Sequence, residues 1–270
     1  MTGAKTWRLR ENDLRFLLGI VAPHLDPDEV TEVDEAWLDE VVENDDVFER
    51  LMASEDLMVQ ISPWLFFYIL LRRARKDLED EAFTLERRSR QKVVIFDTEQ
   101  AADLLDEEAV PDYLASLLAS FTRIASMTVR VQIGRGIWRR YRTNDLDVEG
   151  LMRYAEALEE PYRFEPYKRI GDVCLFLSGM FPEHIESQHR YPVSRKIRPA
   201  MKGRLLQSRE DYESYGKAFY RMAAEHERSE VGGLGEVLVI LSENFVLAEK
   251  PLSFLAGRYL RADRHRLFGI

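Results

Sequence analysis

A second cysteine is missing from this 270-residue chain, and with it every device that needs paired thiols. A lone thiol closes no internal disulfide, which fits a reducing compartment. Cys174 lies within the apolar run Val173-Cys174-Leu175-Phe176-Leu177, the setting of a small core filler rather than of an activated nucleophile. Apolar stretches of membrane length are also lacking. The longest runs from Trp64 to Leu71, far short of the roughly 20 residues a bilayer requires, and four cations follow it at once: Arg72, Arg73, Arg75 and Lys76. A core helix without membrane insertion is expected. No basic-then-apolar leader is found among Met1 to Arg10, so the cytoplasm is the expected location.

Signatures of catalysis are equally sparse. There is no Gly-x-Ser-x-Gly elbow to present a nucleophile. The Gly-rich Val231-Gly232-Gly233-Leu234-Gly235 opens a helix but has neither a preceding strand nor a Lys-Ser/Thr pair, so it reads as a turn. Glu186 and His189 have the Glu-x-x-His spacing that puts both groups on one helix face. A di-metal bundle site needs a second copy and two further glutamates, and the chain has no second copy. Glu225-His226-Glu227 places its groups on diverging sides of a helix, and His265 lies in a basic tail. No metal and no cofactor are expected, and the balance tilts away from an enzyme. In Phe176-Leu177-Ser178-Gly179-Met180-Phe181-Pro182, Gly179 either admits another backbone or an apolar ligand, or merely precedes a helix end at Pro182.

What the chain does have is enough apolar material to fold: 46% hydrophobic residues against 32% charged, with no low-complexity tract and no repeat. Helix starts punctuate it. Ser62-Pro63 reads as N-cap and first residue of a helix to about Lys76. Further helices are expected after Val110, after Asp147, from Pro166 to Met180, and after Ser208, which forms a capping box with Asp211. Leu234 to Leu247 and Pro251 to Leu260 read as an antiparallel pair joined by Ala248, Glu249 and Lys250. Strand character is confined to Lys92–Phe96 and to the arms 128–132 and 137–141. These arms flank a Gly-containing turn as a hairpin, or form a helix broken at Gly134 and Gly136. The expected fold is mainly α, a multi-helix assembly of about ten helices with at most one small β-hairpin. Residues 1–97 read as an acidic helical subdomain with a central apolar helix, and 98–270 as a second helical subdomain sharing one core.

Charge is unevenly distributed. Every charged side chain from Asp26 to Glu49 is acidic, interspersed with Val30, Val33, Trp37, Leu38 and Val41 in an amphipathic pattern. Two other stretches have arginine or lysine and no acid, in a chain whose net charge is −10. Arg139, Arg140 and Arg142 end the first, which begins after Tyr113 and also holds Arg123, Arg130 and Arg135. The second holds Arg190, Arg195, Lys196, Arg198, Lys202 and Arg204, with Pro192 and Pro199 marking a loop.

Guanidinium forks match phosphate oxygens, and Trp138, Tyr141 and Tyr191 add stacking surfaces, so Arg139, Arg140 and Arg142 with the six cations of the second stretch form the candidate site for an anion or nucleic acid. The alternative is that they neutralise the acidic layer, within the chain or across a dimer. The reading placed first is a non-catalytic interaction or regulatory protein with a basic surface for an anionic partner, nucleic acid or a nucleoprotein assembly among them. A protein partner or homo-oligomer is expected with it. The rivals are a helical enzyme or small-ligand binder with a pocket between apolar helices, using Asp172, Tyr215, Glu183 or His184, and self-assembly through acidic and basic layers.

Overall fold

A computed structural model describes residues 8–27, 30, 33–53, 60–80, 84–88, 91–95, 97–122, 126–134, 137–144, 146–185, 208–231 and 233–269, the strands by their backbone. In chain order come helices α1 (Glu11–Val21), α2 (Glu35–Val42), α3 (Asp45–Met52) and α4 (Pro63–Asp80), then strands β1 (Thr84–Arg88) and β2 (Gln91–Ile95). Helices α5 (Thr98–Asp106) and α6 (Ala109–Phe121) precede strands β3 (Ser126–Gly134) and β4 (Ile137–Asn144). The rest is helical: α7 (Val148–Ala157), α8 (Phe164–Met180), α9 (Arg209–Ala224), the single turn α10 (Arg228–Val231), α11 (Gly235–Glu243), α12 (Phe245–Phe254) and α13 (Arg264–Phe268).

The fold is mainly α. Residues 126–134 and 137–144 pair as antiparallel strands rather than forming a broken helix, and the strand expected around Lys92 is present over Gln91–Ile95 as β2. A second strand pair accompanies the one hairpin foreseen, because β2 pairs with β1. Thr84-Leu85-Glu86-Arg87-Arg88 lacks the alternation that announces a strand, and only pairing makes it one.

Packing groups the chain into two units, neither contiguous: Met1–Thr84 with Phe96–Arg123 and Gly257–Ile270, and Leu85–Ile95 with Ile124–Ala256. The division at 97/98 follows charge and composition; packing instead returns 98–123 and the last residues to the first unit.

In the first unit α4 is the central element. Ser62 Oγ accepts from Leu65 N at 3.2 Å, Pro63 needs no partner in the first turn, and every side chain from Trp64 to Leu71 is buried. Helices α2, α3, α5 and α6 pack on it. Its basic end extends to Asp80, past Lys76, because Arg73–Asp77 (2.9 Å) and Arg75–Glu79 (3.5 Å) continue the helix as i,i+4 pairs. The acidic layer meets two of the same cations, Arg72 pairing with Glu43 and Arg73 with Asp45, while Arg75 pairs with Asp106 at the end of α5. Arg73 also lies 4.9 Å from the Phe48 ring, whose other neighbour Tyr259 donates to Asp77 Oδ2 at 2.7 Å.

Asp13 is fully buried and joins two helix starts, accepting from Arg10 N at 2.9 Å and from Ser62 N at 2.6 Å. Truncation would strand two amides. Asp13→Ala is expected to lower stability by about 2–4 kcal/mol, read from urea denaturation followed by circular dichroism. A loss under about 0.5 kcal/mol would show that water replaces the carboxylate.

In the second unit α8 is the central element, with α7, α9 and α12 packed on it. Asp147 caps α7 by accepting from Gly150 N (3.0 Å), and Ser208 caps α9 through the expected box with Asp211. Gly179 resolves in favour of close approach. A Cβ there would meet Leu252 of α12 at 2.7 Å, and the Gly179 carbonyl accepts from Ser253 Oγ at 3.0 Å. The expected link at Ala248–Lys250 is corrected. The chain breaks at Asn244, whose Nδ2 bonds to the Ile240 carbonyl (3.0 Å), and Ala248, Glu249, Lys250 and Pro251 all lie inside α12. Burial explains the difference, since Ala248 and Glu249 are wholly enclosed and Lys250 nearly so. Gly233, at φ 65°, makes the turn foreseen for the Gly-rich segment before α11.

Candidate functional site

Strands β3 and β4 are antiparallel, with Ser126 opposite Asn144, Thr128 opposite Arg142, Arg130 opposite Arg140 and Gln132 opposite Trp138. Between these rows Met127 pairs with Thr143, Val129 with Tyr141 and Val131 with Arg139. Directly opposed residues share a face and successive residues alternate. The ribbon thus sorts its sequence into two faces. One collects Ser126, Thr128, Arg130, Gln132, Trp138, Arg140, Arg142 and Asn144; the other collects Met127, Val129, Val131, Arg139, Tyr141 and Thr143. Every residue type on the first face can donate a hydrogen bond and none carries negative charge. The second is mostly apolar, and α7 packs along β4.

This geometry revises the candidate list. Arg140 and Arg142 are brought together, Arg139 belongs to the opposite face, and Arg130, not singled out beforehand, completes the group. Period-two counting would have found it once a hairpin was assumed. Arg190, Arg195, Lys196, Arg198, Lys202 and Arg204 lie outside the described residues, as do Glu186 and His189.

Charge is divided unevenly between the two units. Carboxylates outnumber cations two to one in the first unit, whereas cations outnumber carboxylates in the second, so the negative excess belongs to the unit without the ribbon. Arg87, Arg88 and Lys92 on β1 and β2 add to the cations of the second unit. The basic end of α4, by contrast, is balanced locally by Glu43, Asp45 and Asp106.

Of the residues named for a pocket, Asp172 joins two helices. Asp172 is buried and accepts from Lys168 Nζ (2.8 Å) and Tyr220 Oη (3.0 Å). Tyr215 stacks along Phe219, and Glu183 and His184 are half-buried at the end of α8. Cys174 is fully enclosed, and burial first, then Glu249 and Asp172, pushes its thiol far above the usual range, leaving no thiolate to react. His226 Nδ1 accepts from Arg228 N (3.1 Å), so Nε2 carries the proton and donates to the Glu160 carbonyl (2.9 Å). Among the described residues no group of three or more His, Cys, Asp and Glu could hold a metal ion.

One buried acid stands apart. Glu249 of α12 has no exposed surface; its Oε2 accepts from Arg209 Nη2 at 2.5 Å, while its Oε1 has no hydrogen-bond partner among the described residues. Arg209 Nε also forms an ion pair with Glu213 at 3.2 Å. Desolvation raises the Glu249 carboxyl to about 7; Arg209 opposes this, Glu213 adds to it, and the nearby Ser178 hydroxyl opposes it weakly. Ser178 spends its hydrogen on the Cys174 carbonyl (2.7 Å), so it leaves Oε1 unsatisfied.

Among the described residues no helix is long and apolar enough to cross a membrane. Comparison of the chain with protein-family models, with curated proteins and with solved structures finds no match.

Proposed function

We propose that this chain is a non-catalytic interaction protein whose β3–β4 ribbon binds a polyanionic partner. The observation that carries the reading is the register: Arg130 stands directly opposite Arg140, with Arg142 one row along the same face. Like charges directly opposed across a strand pair are destabilising, so such a row needs counter-charge from elsewhere. The stretch Ser126 to Asn144 contains no carboxylate to supply it. Phosphate or sulfate groups of a linear anion, met by successive guanidinium forks, satisfy the row with bidentate bonds. The cation surplus of the second unit supports approach by such a partner despite the chain's net charge of −10.

The test compares the full chain with a variant carrying Arg130→Gln, Arg140→Gln and Arg142→Gln. Binding of a fluorescent 20-base-pair DNA duplex and of heparin is measured by anisotropy at low salt. Affinity for both is expected to fall at least tenfold, with an unchanged circular dichroism spectrum. Equal affinity in the two proteins would remove the ribbon from the interaction, and Arg139→Gln, on the opposite face, is expected to change it less than threefold.

A further inference from the structure

A ribbon that only grips phosphate needs positive charge, whereas this one also sets neutral donors and acceptors in the same rows. Building on the polyanion reading, we infer that the polar face of β3–β4 reads base edges in the major groove of duplex DNA. Three observations lead there. The first is shape. The major groove, about 12 Å wide, admits a two-stranded antiparallel ribbon, whose strands lie about 4.8 Å apart. The eight paired rows from Ser126–Asn144 to Gly134–Ile137 extend about 24 Å, the length of roughly seven base pairs.

The second observation is chemical. Arg130, Arg140 and Arg142 share their face with Gln132, Thr128, Ser126 and Asn144. Arginine matches the paired acceptors of guanine, O6 and N7. Glutamine and asparagine match the acceptor and donor of adenine, N7 and N6. Phosphate and sulfate groups only accept hydrogen bonds, so the acceptor of each amide finds no partner on them. The third is the division between faces. All of these groups fall on one side of the ribbon, while Met127, Val129, Val131 and Tyr141 fall on the other. An amphipathic ribbon packs its apolar side on its own protein and leaves the polar side to water or a ligand. Single-stranded nucleic acid would be met by a stacking platform, and Trp138 is the one aromatic position on the polar face.

The experiment changes the DNA as well as the protein. The full chain is used to select binders from a pool of duplexes with a randomised centre, and the selected duplex is then remade with 7-deazaguanine. That base keeps pairing and backbone charge but lacks N7 in the major groove. Enrichment of a short guanine-containing sequence is expected, with a loss of affinity of at least fivefold on the 7-deaza substitution. Gln132→Ala is expected to relax the preference at one position while leaving the salt dependence unchanged.

Salt-sensitive binding with no enriched sequence, or with equal affinity for the 7-deaza duplex, overturns groove reading and leaves the polyanion site standing. Tighter binding of a single strand of the selected sequence overturns it in favour of stacking. Failure to bind any of duplex, single strand and heparin overturns both readings. Because the 7-deaza arm uses the unaltered protein, it decides the matter even where a ribbon variant fails to fold.

Discussion

Arg209→Met is expected to lower stability by about 3–5 kcal/mol at pH 8, the typical consequence of leaving a buried charge without its partner. Arg209 is the first residue of α9, and its Nη2 donates to the enclosed Glu249 carboxylate. Methionine keeps much of the stem's volume, so the loss reports charge rather than packing. At pH 5 Glu249 is protonated in the folded protein, and the neutral acid tolerates its surroundings better. The destabilisation should therefore shrink by more than 1 kcal/mol. Urea denaturation at the two pH values checks this; an equal loss at both would mean that Arg209 acts through packing.

Glu249 itself makes the second prediction. Its carboxyl titrates at about 7 when folded against 4.5 as an ordinary side chain, so between these values the folded chain holds more proton than the unfolded one. Stability contributed by this group is greatest below the unfolded value and is lost as pH rises through the folded one. The groups set around it are Arg209 and Glu213 from α9, and Ser178 and Cys174 from α8. From pH 5 to pH 8 the native protein should lose about 2–3 kcal/mol through Glu249. Glu249→Gln should lose none of that portion and should equal or exceed the native protein's stability at pH 8. Comparing the two proteins cancels the slopes of all other titrating groups. Parallel stability curves would place the carboxyl near its ordinary range.

Much of the helical scaffold was legible because its signals are local. Ser62-Pro63, Asp147 and the Ser208–Asp211 box each bond to an amide within three residues, so the sequence displays both partners. The apolar run Trp64 to Leu71 announced its burial in the same way. Failures occurred where distant contacts decide. Ala248-Glu249-Lys250-Pro251 looks like a connector, and only Arg209, forty residues away, makes a buried glutamate tolerable inside α12. Strand β1 has no pattern of its own and depends on β2. At the candidate site, clustering of arginines was visible but their division between faces was not, because adjacent residues separate in a strand and residues ten apart meet across a hairpin. Arg130 and Arg140 are such a pair, and Arg139, next to Arg140 in sequence, is not part of it.

The salt dependence of duplex binding tests the central claim most directly. With the native chain, the logarithm of the association constant should fall linearly with the logarithm of salt concentration. Removing the guanidinium groups of positions 130, 140 and 142 should reduce the slope by about two to three, roughly 0.9 for each phosphate neutralised. The same slope in both proteins would mean that these three arginines meet no phosphate, which contradicts the polyanion reading of the ribbon.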